Sequence, residues 1–584
     1  MVKYKERKDI PKSIKEKLEE YPALLQKLLF HRGIETKKDA EIFLNPDWDR
    51  DHYDPFLILN MERAVKRILK AIAQNEKIVI YGDFDCDGIP GSVLLHDFFK
   101  KIGYENFSNY IPHRHDEGYG LHLEAVEQFV EKGARLLITV DVGITDVESI
   151  KVAQEGGIDV IVTDHHLPLE KKGKEVLPPA YAIINSKQKK DTYPDDMLCG
   201  AGVVFKLVQA LLKEGKKNKK GKYHKIFSEI PKGWEKWLLD MVGIATLADM
   251  VPLQKENRAF ACFGLTVLQK SRRKGLCTLL EKTKIEQKNL SEDDITFMIA
   301  PRINAASRMD HPARAFELLA TDDLVEAERL ADHLEHINQK RKGHVAAIIK
   351  DAKKKIKKRE LREVIVVGNP DWSLGILGLV ANNLAEEFER PTFVWGYDND
   401  GNIKGSCRGN GISVIDLIKA APEETFLQFG GHDGACGFSI THDNIHDLEK
   451  VLEETYKKME KKQDENVAWV DHTLSLDDVN WQTHQVIEQL APFGVGNEKP
   501  LFLFKRVEIT EVRLFGKEKN HLGLDFKNSA GKKISAIGFF VDDKSFADVT
   551  IGVGEKVCLV ATLEKSFFRN FKELRLRIVD VTCG

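Results

Sequence analysis

The chain has 584 residues and a formal net charge of −3, with 42% hydrophobic and 31% charged residues, which predicts a soluble protein of three or four domains at ~100–200 residues each. No run of ~18 or more apolar residues is present, so no transmembrane helix is expected, and the basic start Met1–Arg7 lacks the apolar stretch of a signal peptide. The eight cysteines are scattered without a CxxC pair, which argues against a zinc ribbon or disulfide framework and for a reducing cytoplasm.

Residues 1–58 read as a small helical N-terminal segment, carried by Ile14, Leu18, Leu24 and Leu28. Met61, Val65, Ile68, Leu69 and Ile72 make an amphipathic helix. It leads to the apolar run Ile78–Tyr81, which passes straight into Gly82-Asp83-Phe84-Asp85-Cys86-Asp87-Gly88. Val93, Leu94, Phe98, Phe99 and Ile102 follow at helical spacing, so the stretch predicts strand, tight turn and helix with three carboxylates at the turn. Two more buried-type strands end the same way: Leu136–Val140 in Asp141-Val142-Gly143, and Val160–Thr163 in Asp164-His165-His166. Ala180–Ile184 is a further strand, followed by Asn185. Strands alternating with helices imply parallel βαβ units in a doubly wound α/β sheet.

From Trp234 to Leu334 the pattern is mostly helical, and residues 323–358 form a long charged stretch that reads as a helix bridging two domains. A second, smaller α/β unit opens at Val364–Gly368 and runs to about Lys462. It is glycine-rich around Gly405-Ser406-Cys407-Arg408 and Gly430-Gly431-His432. From about Val467 short strands recur, which predicts a small barrel or sandwich. The basic runs Lys213–Lys225 and Lys340–Arg362 read as solvated surface.

A parallel sheet would bring Asp83, Asp85 and Asp87, Asp141, and Asp164-His165-His166 to its carboxyl edge, where Asp249 could complete the set. Carboxylates with an imidazole suit manganese or magnesium, and more than four carboxylates are more than one divalent ion needs. Two ions ~3.5–4 Å apart with a bridging aspartate are the arrangement that hydrolyses phosphate esters.

The ordered set Asp-x-Asp-x-Asp-Gly, Asp-x-Gly, Asp-His-His and Ala248-Asp249-Met250-Val251-Pro252 resembles the successive motifs of the DHH phosphoesterase superfamily. With Gly118-Tyr119-Gly120-Leu121, the PRINAASR segment of residues 301–308 and the later Gly-Gly-His, it resembles the superfamily's single-strand-specific 5′→3′ exonucleases over nearly the whole chain. The resemblance implies a DHH domain over residues 59–330, a linking helix over 331–360, a smaller α/β DHHA1 domain over 361–462 and a C-terminal OB-fold-like β-barrel over 467–584. It implies two divalent ions, Mn²⁺ or Mg²⁺, held by Asp85, Asp87, Asp141, His165 and Asp249, with Asp141 as the bridge. Asp83 and Asp164 would support the site, and His166 would face the scissile phosphate. Arg114, Arg302, Asn304 and Arg308 would contact the strand, Ser406 and Arg408 its 5′-phosphate end, and His432 would be another substrate-facing residue.

The implied activity is release of 5′-mononucleotides from single-stranded DNA by two-metal phosphodiester hydrolysis in recombination and repair. Single-strand-binding protein and a helicase stand as candidate partners of a cytoplasmic monomer with no membrane contact. Phe515, Lys517, Lys519 and His521 are candidate strand contacts on the barrel. Val142, Ser307, Ser373 and the pair Asn382-Asn383 depart from the family's pattern, and the basic insertion at 213–225 has no assigned role. Two alternatives remain: a small-substrate phosphodiesterase of cyclic dinucleotides, short oligonucleotides or diphosphate, and a non-enzymatic replication factor that binds single strands.

Overall fold

In a computed structural model the chain is described over residues 3–217, 224–459, 467–516, 519–541, 545–546, 549–568 and 571–583. It divides into two units. One comprises Tyr53–Val251 and Phe263–Lys462, the other Met1–His52, Pro252–Cys262 and Gln463–Gly584.

The first unit is built from α1 (Met61–Gln74), β1 (Ile78–Gly82), α2 (Gly88–Lys101), β2 (Phe107–Tyr110), α3 (Leu123–Glu131), β3 (Leu136–Val140), α4 (Val147–Glu155), β4 (Asp159–Thr163), β5 (Ala182–Ile184) and α5 (Gly200–Lys217). The five strands form one all-parallel sheet in the order β2-β1-β3-β4-β5. Every residue of β1 and β3 is buried. That explains their unbroken apolar sequence, because a sheet covered on both faces has no solvent side to alternate with. Val79, Tyr81, Leu137, Val160 and Val162 pack on one face with Phe129 of α3 and Ile150 of α4. Ile78, Ile80, Ile138 and Val140 fill the other face, which α2 and α5 cover.

A helical region follows, containing α6 (Leu239–Ala248), α7 (Ala300–Met309) and the 33-residue α8 (Leu324–Ile356), whose first turn is capped by the Asp323 side chain on the Glu326 N–H. The first half of α8 buries Ala327, Leu330 and Leu334 in the helical region, where it packs against α7. Its second half buries Ile348, Ala352 and Ile356 in the core of the next domain. That domain has β6 (Ile365–Gly368), α9 (Leu374–Phe388), β7 (Thr392–Tyr397), β8 (Ile403–Arg408), β9 (Gln428–His432) and β10 (Ala435–Ile440). Its sheet order is β9-β10-β8-β7-β6, with β6 and β7 parallel and the other pairs antiparallel.

In the second unit a seven-stranded mixed sheet uses Phe502–Glu508, Glu511–Phe515, His521–Lys527, Lys533–Phe539, Lys556–Phe568, Phe571–Cys583 and the short His472–Thr473. The short strands expected from about Val467 are present there. The N-terminal residues differ from a separate helical segment. Lys3–Glu6 is a strand that pairs in parallel with Val467–Val470, and Leu25, Leu28 and Leu29 share one core with Val479, Ile487 and Phe502. Among the described residues no helix is long and apolar enough to cross a membrane.

Candidate active site

In the order β2-β1-β3-β4-β5 the winding direction changes between β1 and β3, and a crevice opens at the carboxyl ends of those two strands. The hydrogen-bond ladder continues one residue past each strand. Asp83 N–H donates to Val140 O at 3.0 Å, Asp141 N–H to Thr163 O at 2.9 Å and Asp164 N–H to Ile184 O at 3.2 Å. Three aspartates are thereby set side by side across the edge of the sheet.

Asp85 and Asp87 each sit in a cradle of backbone N–H groups. Asp85 Oδ1 accepts from the N–H groups of Asp87 and Gly88, at 2.8 and 3.2 Å. Asp87 accepts from the first N–H groups of α5, Gly200 at 2.5 Å and Ala201 at 2.7 Å. Gly200 is required there by space, since a Cβ on it would lie 2.6 Å from the Asp141 Cβ. Asp164 accepts four hydrogen bonds, from Ile144 N, His165 N, His166 N and His166 Nδ1 at 2.7–3.0 Å. With Nδ1 so engaged, His166 directs Nε2 outward from a half-exposed side chain. Asp249 follows the last turn of α6.

His165 Nε2 lies 3.2 Å from Asp141, 3.6 Å from Asp87 and 3.7 Å from Asp249. Candidate ligand atoms fall into overlapping groups, Asp83/Asp85/Asp141, Asp87/His165/Asp249 and Asp141/His165/His166, each within 4.8 Å. Asp141 belongs to two of them. The electrostatics is that of a site built for cations. Burial and then the Asp85 charge push Asp87 up to about 7, and burial with Asp87 and Asp85 pushes Asp249 up to about 8. Asp83 and Asp141 are raised for the same reasons. Burial drops His165 to about 3, leaving a neutral imidazole fit to ligate. Against the downward pull of burial, the Asp164 hydrogen bond raises His166 to about 9. Buried Asp83 Oδ1 and Asp141 Oδ1 have no hydrogen-bond partner among the described residues. Carboxylates this crowded, buried and unsatisfied fit two divalent ions.

The structure thus gathers Asp83, Asp85, Asp87, Asp141, Asp164, His165, His166 and Asp249 in one place. Asp83, expected to support the site, has a carboxylate oxygen within 4.8 Å of ligand atoms of Asp85 and Asp141. The expected strand contacts divide. Arg114 lies over the Phe84 ring at 4.9 Å, between two of the aspartates in sequence. Asn304 and Arg308 share one face of α7, and Arg308 Nη1 donates to Gly375 O at 3.1 Å. Arg302 departs from expectation. It is 4% exposed, with its guanidinium on Glu335 of α8 at 2.6 Å and on Met298 O, just before α7, at 2.7 Å. Within PRINAASR a two-residue step turns the side chain to the other side of the helix, which motif reading does not resolve.

Ser406 and Arg408 stand on one face of β8, with Cys407 turned into the core. Arg408 and His432 lie in one cross-strand row through Ala435, two strands apart. Burial and mutual repulsion lower Arg308, to about 9, with Arg114, Arg341 and Arg408 as its neighbours. No described carboxylate forms an ion pair with Arg114, Arg308 or Arg408, although Arg114 feels the charges of Asp83 and Asp85. Sequence reasoning assigned no role to Tyr119, whose hydroxyl is 3.3 Å from His166 Nδ1, nor to the start of α5. The Gly118–Leu121 motif and the small residues of Gly200-Ala201-Gly202 were the signals for them.

In the second unit Phe515, His521, Phe539 and Phe540 form a ring cluster with centroids 5.1–6.3 Å apart, and Phe540 is 81% exposed. Lys519 is exposed beside it, and Lys517 lies outside the described residues. Of the basic insertion, Lys213 pairs with Asp54 at 2.7 Å, while residues 218–223 lie outside the described ones.

A parallel sheet with a carboxylate–histidine cluster at its switch point, joined by one long helix to a smaller α/β domain, defines a metal-dependent phosphoesterase of the DHH class. The chain matches the DHH family N-terminal domain over residues 77–234, the DHHA1 domain over 361–458 and the RecJ OB domain over 470–580. It is 36% identical over 578 residues to the single-stranded-DNA-specific exonuclease RecJ of Bacillus subtilis, covering 98% of this chain and 69% of that one. The protein of that name from Haemophilus influenzae is 31% identical over 592 residues and 99% of both chains. The chain belongs to the RecJ family. Its fold matches the crystal structure of RecJ with Mn²⁺ from Thermus thermophilus, with a TM-score of 0.79 at 24% identity over 100% of this chain and 80% of that one. A crystal structure of exonuclease RecJ bound to manganese matches with a TM-score of 0.57 at 29% identity, over 69% of this chain and 95% of the other.

Proposed function

We propose that this protein is a single-stranded-DNA-specific 5′→3′ exonuclease that releases 5′-mononucleotides and acts in DNA recombination and repair. The observation that carries the reading is a set of three arginines, Arg114, Arg308 and Arg408, without carboxylate partners in the same unit as the metal-ligand cluster. Forked donors left free of acids suit phosphate oxygens. Relatives across the full length that are named for single-stranded DNA support the substrate class.

Asp85, Asp87, Asp141, His165 and Asp249 would hold two divalent cations, Mn²⁺ or Mg²⁺, with Asp83 beside them. Bound there, the cations supply charge stabilisation at the scissile phosphate and lower the pKa of an attacking water. His166, kept charged and oriented by Asp164, directs Nε2 at that phosphate and stabilises the negative charge that develops on it. Ser406 and Arg408, next to the first turn of α9, anchor the 5′-phosphate, and His432 lines the same face further out. Arg114 and Arg308 add donors to the terminal and scissile phosphates. Polarity follows, because a strand anchored by its terminal phosphate presents its first internal bond to the cluster. The exposed rings Phe515 and Phe540, with half-buried His521 beside them, offer sequence-tolerant stacking for bases. An enzyme limited to single strands calls for a helicase and single-strand-binding protein as partners, and one chain carries the whole site.

The test is digestion of one single-stranded DNA, labelled separately at each end, with Mn²⁺ or chelator. Release of labelled mononucleotide from the 5′ end only, dependent on metal, is expected. Cleavage confined to dinucleotides or diphosphate, or binding without cleavage, would overturn the proposal.

A further inference from the structure

Three elements meet at the start of α9. The Arg308 guanidinium at the end of α7 donates to Gly375 O at 3.1 Å, and the His115 ring, in the loop after β2, lies 3.0 Å through Nε2 from Arg308 O. Gly375 closes against both. A Cβ added to it would lie 2.5 Å from His115 Cε1 and 2.6 Å from Arg308 O, closer than real Cβ contacts. One turn on, α9 meets β8 in the same manner, since a Cβ on Gly378 would lie 2.8 Å from Arg408 Nη2. His115 adjoins Arg114, whose guanidinium covers the Phe84 ring between Asp83 and Asp85. An unbroken line of contacts therefore runs from the aspartates through Arg114, His115, Gly375 and Gly378 to Arg408. Flexible side-chain ends can yield to an added atom, but the Arg308 carbonyl is backbone and cannot yield alone.

We infer that Gly375 is a positioning residue: its missing side chain sets the distance between the phosphate anchor at Arg408 and the metal-ligand cluster, with His115 and Arg308 as the opposing stop. This rests on the reading of the site as a 5′-end exonuclease. A methyl group at position 375 wedges α9 away from α7 by a fraction of a nucleotide step. The register of cleavage is kept, and the first internal phosphate is carried off its productive position. Misplacement of about 1 Å costs roughly 100-fold in rate without loss of binding. The effect is specific to strands that use the anchor. A 5′-hydroxyl strand has no terminal phosphate for Arg408 and is free to slide to its own best position.

The experiment compares wild type and Gly375→Ala, in full-length protein with Mn²⁺, on the same strand bearing a 5′-phosphate or a 5′-hydroxyl. The expected result is a loss in kcat of about 10- to 100-fold on the phosphorylated strand. KM should stay within about threefold, and the loss on the hydroxyl strand should be smaller, so that the rate ratio between the two ends shrinks. His115→Ala in the Gly375→Ala background removes one of the two obstructions and restores part of kcat. Should Gly375→Ala not fold, His115→Trp presses on the same contact from the other side and is expected to give the same end-dependent loss. Equal losses on both strands, or none on the phosphorylated one, would overturn the inference. If the wild type itself releases no mononucleotide from the phosphorylated strand, the exonuclease reading fails instead.

Discussion

Asp141 combines three costs that a structural residue would avoid. It occupies the left-handed region at φ +62°, it is 2% exposed, and its Oδ1 has no hydrogen-bond partner among four other carboxylates. Backbone strain and buried like charge persist only where something offsets them, and divalent cations are the offset this donor set fits. Asp141→Asn tests it, since asparagine tolerates the backbone conformation and has the same shape. In chelator the variant should unfold at a higher temperature than wild type, because the cost of burying an ionisable carboxyl beside other carboxylates is gone. Addition of Mn²⁺ should raise the melting temperature of wild type, by ~2.7 kcal/mol of stability at 100 times Kd, and leave the variant nearly unmoved. Calorimetry with and without Mn²⁺ reads both, and hydrolysis should fall by at least about 100-fold. A variant no more stable than wild type in chelator would remove the electrostatic account.

Among the elements, the pair α7 and α8 shows how one motif serves two purposes. Asn304 and Arg308 sit on the face that leads to Gly375, whereas Arg302 is locked to Glu335 of α8. Breaking a buried ion pair costs ~3–5 kcal/mol; Glu335 is 29% exposed, so Arg302→Ala should cost about 2–3 kcal/mol of stability. The protein that remains folded should keep its KM for single strands, which separates Arg302 from Arg308. Thermal unfolding with steady-state kinetics on the same preparations checks it, and a raised KM at unchanged stability would return Arg302 to the substrate path.

At the scale of the molecule, chain order and spatial order part company. Residues 3–6 add a strand beside Val467–Val470, and the helix Ala23–Phe30 shares its core with the C-terminal sheet. Removal of residues 1–45 strips Ile14, Leu18, Leu25, Leu28 and Leu29 from that core, each of which contributes ~1.5–3 kcal/mol by burial. Amide hydrogen exchange should then show protection lost across 467–509, with the protection of β1, β3 and β4 retained in the other unit. Uniform loss in both units would show that they do not unfold independently.

The metal-ligand cluster was readable from sequence because its information is local. Asp83, Asp141 and Asp164 each directly follow a buried apolar run, and parallel pairing alone carries them to one edge. Asp249 stood as a candidate to complete the set and the family resemblance implied it as a ligand, since nothing in its own helix aims it at His165. The order of the domains, the long helix and the late strands followed from periodicity in the same way. Other features needed three dimensions. Whether an arginine of PRINAASR meets an acid or a phosphate depends on which face of α7 another helix covers. That Gly375 must lack a side chain depends on His115 and Arg308, distant in sequence and adjacent in space. The union of residues 3–44 with 467–581 depends on a core whose halves lie at opposite ends of the chain. Sequence by itself determined the chemistry at the strand ends, because strand and carboxylate are neighbours along the backbone. Tertiary structure alone decided what faces that chemistry and at what distance, because those contacts are made by packing between segments whose separation in sequence carries no periodic signal.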